Sequence, residues 1–263
     1  MDLRLKNKIA LVTGASRGLG FATAHLLAEE GTHLVINSRN QAKLDYAADQ
    51  IRQETGSKIL AIPGDVTRPD FPALLVDKAV SVFKGLDVLI TNSGGPPSGP
   101  FESFDDTAWQ QAIELSLLSH VRLIRAALPY LRQSSTPSVL TITSYSVKQP
   151  IPNLVLSNSI RAATAALTKS LSLELGSEGI RFNSILPAWT ETERVQELLR
   201  VRAQKNRTTI EQEMRLQAAE SALGRMGNPR EFANAAVFLV SPAASYLTGV
   251  MLTVDGGAYK GTF

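Results

Sequence analysis

Residues 9–20 constrain this chain more than any other stretch. Ile9-Ala10-Leu11-Val12 is a short apolar run, and Thr13-Gly14-Ala15-Ser16-Arg17-Gly18-Leu19-Gly20 breaks it with three glycines. A helical pattern follows at once, with Ala22, Leu26, Leu27 and Ala28 at helical spacing. A strand, a glycine turn and a helix start in that order make a phosphate site. Glycine lets the backbone approach the ligand, and the first turn of the helix offers unpaired N–H groups and a positive dipole end. The spacing is G-x-x-x-G-x-G rather than the commoner G-x-G-x-x-G.

Short apolar runs alternate with helical stretches from there almost to the end. The runs predict strands at 8–13, 33–37, 58–62, 86–91, 138–143, 180–186 and 250–254. Helices are predicted near 18–30, 40–55, 70–84, 105–133, 154–177, 191–220 and 229–240. Val88-Leu89-Ile90 and Val139-Leu140-Thr141-Ile142 are continuous rather than alternating, as strands buried on both faces are. Repeated β-α-β units with right-handed crossovers give a doubly wound, parallel, seven-stranded sheet with helices on both faces. In such a sheet the ligand lies beyond the carboxyl ends of the strands.

At 263 residues the chain is ample for one such domain, and no linker or repeat divides it. The balance of 27 basic against 24 acidic residues, with no basic block, argues against nucleic acid and membrane surfaces. The absence of cysteine excludes disulfides and thiolate metal sites, and no metal site is expected. Met1-Asp2-Leu3-Arg4 leads into the first strand with no apolar signal region, and no run of 18 apolar residues follows. The expectation is a cytoplasmic protein. The charge-rich segment 191–220 reads either as a pair of solvated helices or as a lid over a substrate.

Together these motifs resemble the short-chain dehydrogenase/reductase family over essentially the whole chain. Thr13-Gly14-x-x-x-Gly18-x-Gly20 is similar to its cofactor loop, and Asp65-Val66 to the acidic turn after its third strand. Asn92-Ser93-Gly94-Gly95 resembles its N-A-A-G turn. Arg181-Phe182-Asn183-Ser184-Ile185-Leu186-Pro187, followed by Thr192, resembles its sixth strand, and Gly224-Arg225-Met226-Gly227-x-Pro229 and Val254-Asp255-Gly256-Gly257 its C-terminal signatures. The resemblance implies a Rossmann fold. It also implies a dinucleotide held by Gly14, Ser16, Arg17, Gly18, Leu19, Gly20, Ser38, Arg39, Asp65, Val66, Asn92, Gly94, Arg161, Pro187 and Thr192. A homodimer or homotetramer built on the 105–133 and 154–177 helices is implied too, with Ala162, Ala163, Ala165 and Ala166 as a close-packing surface.

Charge selects the cofactor. An NAD site wants an acid at the end of the second strand, where this chain reads Asn37-Ser38-Arg39. Arg17 and Arg39 can hold a 2′-phosphate through charge-assisted hydrogen bonds, which predicts NADP(H).

The family's proton donor is a tyrosine, with a lysine four residues on, a serine and an asparagine. Aligned on Ala165-Ala166-Leu167-Thr168-Lys169, the tyrosine position holds Ser157 and the lysine position Arg161. The serine is Ser144, and the asparagine position holds Ser116. An aliphatic hydroxyl is a far weaker acid than tyrosine, and arginine does not deprotonate. Tyr145 and Lys148 are candidates for a substitute acid, whereas His120, one turn after Ser116, is expected to be a packing residue. Two functional readings remain: an NADP(H)-dependent reductase of a 3-oxoacyl-like carbonyl compound through an atypical site, and a dinucleotide-binding sensor or assembly subunit.

Overall fold

The computed structural model describes residues 1–262. The strands are β1 (Ile9–Thr13), β2 (His33–Ser38), β3 (Ile59–Pro63), β4 (Val88–Thr91), β5 (Ser138–Ile142), β6 (Arg181–Pro187) and β7 (Met251–Val254). They form one parallel sheet in the order β3-β2-β1-β4-β5-β6-β7. The order reverses between β1 and β4, and the register aligns their carboxyl ends. Val12 stands opposite both Ile36 and Ile90, and Thr91 opposite Thr141. The chain therefore leaves β1, β4 and β5 side by side, where an open α/β sheet has its crevice.

Successive residues of each strand supply opposite faces. Val12, Ile36, Ile90 and Leu140 pack against α1 (Gly18–Glu29), α2 (Gln41–Thr55) and α9 (Pro229–Val240). Leu11, Val35, Leu89 and Val139 pack instead under α3 (Phe71–Phe83) and α5 (Ser119–Leu131). α6 (Val155–Glu174) lies on the second face and presses on β6. Caps set the boundaries. The Asn40 side chain accepts from the Lys43 N–H to start α2, and reciprocal capping boxes at Thr209 and Asn228 open α8 (Ile210–Glu220) and α9.

Two predicted stretches are subdivided. The long helix read at 105–133 consists of α4 (Asp106–Ile113), a wider π turn (Glu114–Leu118) and α5. Apolar periodicity runs through the insertion of a π turn, so a pattern-based reading sees one helix. Segment 191–220 is a helix pair, α7 (Glu193–Asn206) and α8, with Thr192 as the N-cap of α7. Of the predicted small-residue surface on α6, Ala165 is buried inside the chain, whereas Ala163 and Ala166 face outward. No helix among the described residues is long and apolar enough to cross a membrane.

Candidate active site

The glycine turn is tight for a measurable reason. Gly14 has φ +61°, and a Cβ there would fall 2.7 Å from the Asn92 amide nitrogen. A Cβ on Gly20 would lie 2.3 Å from the Gly14 carbonyl oxygen. Asn92 fastens the turn to β4: its Nδ2 donates to the Gly14 carbonyl at 3.3 Å. The Thr13 hydroxyl donates to the Asn92 carbonyl at 2.8 Å and accepts from the Asn92 N–H at 2.9 Å. Asn92 thus shapes the cradle rather than lining it. The first turn of α1 has no capping side chain and no acidic residue. Thr192 stands beside that turn, its Cγ2 3.6 Å from the Cβ position of Gly18. The residues fit a phosphate group there.

Around that cradle the structure gives several of the expected residues partners within the chain. Arg17 does not stand free for a 2′-phosphate. Its Nη1 pairs with Glu193 at 2.5 Å and with Glu197 at 3.5 Å, because these two acids lie one turn apart on α7. Glu193 and Glu197 raise its pKa against a smaller effect of desolvation. Arg39 is exposed just past β2, and the Ser38 hydroxyl leans on the Asn40 carbonyl at 3.4 Å. Asn37 is buried and donates to Ile62 and Gly64, so its side chain ties β2 to β3. One carboxylate oxygen of Asp65 accepts from the Thr67 N–H and hydroxyl at 3.0 and 2.8 Å. The Val66 side chain belongs to the core, as Leu19 partly does, which leaves both only backbone to offer a ligand. Ser16 is half-buried in the turn, and Pro187 closes β6.

The second half of the site gathers at the ends of β4 and β5. Ser144 follows β5 and accepts from the Ser146 N–H at 3.2 Å, opening a short 3₁₀ turn. Ser157 and Arg161 lie one turn apart on α6, on one face. Arg161 is buried, and its Nη1 donates to the carbonyls of Ile142 at 3.2 Å and Thr143 at 3.3 Å. Its Nη2 donates to Gly94 at 3.3 Å. It therefore spans β4 and β5 at their carboxyl ends, beside Ser144 in sequence. Desolvation first, and Arg194 second, lower its pKa to about 10, so the guanidinium stays charged at neutral pH. Ser116 lies in the π turn: its carbonyl accepts from the Thr164 hydroxyl, and its own hydroxyl is buried without a partner. A buried hydroxyl in that state calls for a water or ligand oxygen.

The substitute acids fare poorly. Tyr145 turns toward the helix pair, its hydroxyl 3.4 Å from Glu220, and burial with that carboxylate pushes its pKa up to about 12. Lys148 sits over the Tyr259 ring. His120 is buried with its Nδ1 2.7 Å from the Thr91 hydroxyl, and desolvation holds its pKa down near 3, so it is a neutral packing residue. A cleft of about 540 Å³ runs between Tyr145, Gln149 and Pro150 on one side and Arg202, Gln217 and Glu220 on the other. Arg194 was legible only as one charge among many on 191–220. In the fold its Nη2 reaches the Pro96 carbonyl at 3.2 Å, over the loop after β4. No cluster of three or more metal-ligating side chains occurs among the described residues.

The family model described as enoyl-(acyl carrier protein) reductase matches residues 14–259. A cis-4-hydroxycyclohexanecarboxylate dehydrogenase of Sinomonas cyclohexanicum is 33% identical over 251 residues, 95% of this chain and 96% of that one. L-sorbose reductase from Gluconobacter frateurii, solved with NADPH and L-sorbose, superposes with a TM-score of 0.95 at 30% identity, over 99% of this chain and all of that one. An NADPH-bound short chain oxidoreductase from Pseudomonas aeruginosa PAO1, described as containing an atypical catalytic center, has a TM-score of 0.89 at 28% identity, over 98% and 100%. The chain belongs to the short-chain dehydrogenase/reductase family.

Proposed function

We propose that the chain is an NADP(H)-dependent oxidoreductase that reduces a carbonyl compound without a tyrosine acid. The observation that carries this reading is the buried, charged Arg161. It lies between the ends of β4 and β5, one helical turn from Ser157 and next in space to the strand that delivers Ser144. NADPH-bound relatives of the same fold support the cofactor, and the dehydrogenases and reductases around the chain leave a non-catalytic sensor unfavoured.

The phosphates would rest on the first turn of α1, with Thr192 alongside and Arg39 at the 2′-phosphate. NADPH, when bound, supplies the hydride. The Ser144 and Ser157 hydroxyls orient the acceptor oxygen, and Arg161 stabilises the negative charge that develops on it. A fixed cation in a desolvated site does this without reorganising. Arg161 does not release its proton, so solvent supplies the one that completes the alcohol. A 3-oxoacyl-like compound is the first acceptor to try, with α7 and α8 as its lid and α6 as the pairing surface of a dimer or tetramer. Restoring the family pair tests the assignment. Ser157→Tyr with Arg161→Lys should speed NADPH-dependent reduction and introduce a pH break from the new phenol. A double variant that folds, binds NADPH and shows neither change would sink it.

A further inference from the structure

Arg161 is short of partners. A guanidinium has five N–H donors. Three go to the carbonyls of Ile142, Thr143 and Gly94, which leaves one Nη2 N–H and the Nε N–H uncommitted. No carboxylate among the described residues pairs with it, although buried charges are ordinarily paired. A second guanidinium stands opposite. The point where a side chain at Gly95 would place its Cβ is 3.5 Å from Arg194 Nη2, 3.8 Å from Arg194 Nε and 4.0 Å from Arg161 Nη2. The acid nearest Arg194 is Glu197, 3.8 Å away on its own helix and also engaged by Arg17. Gly95 leaves that point open, and the two cations converge on it from α6 and from the start of α7.

Like charges drawn together at a glycine, with donors to spare, are arranged for an anion. Planar guanidinium groups suit the two oxygens of a carboxylate. We propose that the space beside Gly95, between Arg161 and Arg194, is an anion subsite that selects carbonyl substrates bearing a carboxylate or other anionic oxygen group. The subsite adjoins the position where Ser144, Ser157 and Arg161 receive the carbonyl, so this assignment rests on the reductase reading. It sits on the β4–β5 side of the crevice, whereas the glycine turn and the first turn of α1 serve the cofactor's phosphates.

The test compares 3-oxobutanoate with its uncharged methyl ester under NADPH, in the unaltered protein and in Arg194→Ala and Arg194→Gln. Arg194 lies at the surface, its side chain 45% exposed, so these variants should fold. NADPH affinity is measured alongside by fluorescence titration, and butanoate binding to the protein–NADPH complex by calorimetry. The expected result is a preference of tenfold or more in kcat/KM for the acid. Both variants should erase it through KM, with the ester's kcat/KM and the NADPH affinity unchanged within about twofold. Equal kcat/KM for acid and ester in the unaltered protein overturns the subsite. A parallel loss of NADPH affinity in the variants also overturns it and gives the arginines to the cofactor's phosphates. Where neither compound is turned over, butanoate heat that disappears in Arg194→Ala keeps the subsite and rejects the reductase reading. Absence of that heat in the unaltered protein rejects the subsite.

Discussion

Arg161 is buried and Arg181 half-buried, neither has a carboxylate partner among the described residues, and the two stand at opposite ends of the sheet. Arg181, where β6 begins, donates through Nη1 to the carbonyls of Leu239, Ala244 and Leu247 and through Nη2 to those of Val240 and Ser241. These oxygens belong to the C-terminal turn of α9 and the loop that follows, where unpaired carbonyls and the negative end of the dipole await a cation. Arg161, at the other pole, meets three carbonyls and a second cation. Burial lowers both pKa values to about 10. The residue type is the same and both are desolvated, but five carbonyls occupy the two terminal nitrogens of Arg181, whereas Arg161 keeps an Nη2 N–H to spare. A guanidinium whose terminal nitrogens are fully engaged is a structural joint, and one with a spare terminal N–H facing a crevice is a place for something to bind.

The largest expected effect falls on Arg181. Arg181→Met strands buried carbonyls, each costing about 1–3 kcal/mol, and so should destabilise the fold by about 3–5 kcal/mol in urea melts. The folded fraction should keep its kcat. Loss of turnover with little loss of stability would break the distinction between the two poles.

A buried neutral histidine sharpens it. His120 lies on the Arg161 side with no carbonyl cage, and desolvation, then Arg161, keeps it neutral down to about pH 3. The unfolded chain takes up that proton near pH 6.5. Its contribution to stability is therefore intact above pH 6.5 and is lost as pH falls from there toward 3, by up to about 1.4 kcal/mol per unit. Urea melts at stepped pH should show this slope, and His120→Gln should flatten it. An unchanged slope in the variant would place the acid sensitivity elsewhere.

Much of this was readable in the chain, for reasons that differ by region. Continuous runs such as Val88-Leu89-Ile90 carry their own signal, and Pro229 after Asn228 marks the start of α9 to the residue. Motif spacing proposes Ser144, Ser157 and Arg161 as one group, and helical geometry alone puts Ser157 and Arg161 one turn apart on α6. What sequence cannot encode is commitment. The spacing places Arg17 in the glycine turn but says nothing of Glu193 and Glu197, which reach it from 176 or more residues away. Arg194 acquires meaning only once the loop after β4 folds back beneath α7. The π turn at Glu114–Leu118 inserts into an apolar pattern that reads as one unbroken helix.

The same logic predicts a smaller difference between Arg39 and Arg17. Arg39→Ala should lower the preference for NADPH over NADH about tenfold, as the loss of one charge-assisted contact does. Arg17→Ala, already neutralised by its two acids, should change it less than about threefold. Cofactor titrations decide, and the reverse order would return Arg17 to the 2′-phosphate.

In the proposed mechanism Arg161 is the working charge of the reductase site. Its most direct test is single-turnover oxidation of bound NADPH by a carbonyl acceptor in the unaltered protein and in Arg161→Ala. Folding is checked by thermal melts, and NADPH is kept saturating, because the variant should also bind it about tenfold more weakly. The expected result is turnover in the unaltered protein and a fall of about 10²–10³-fold in the folded variant, the scale of losing one preorganised oxyanion donor. A folded, NADPH-saturated Arg161→Ala that transfers hydride as fast as the unaltered protein would contradict it.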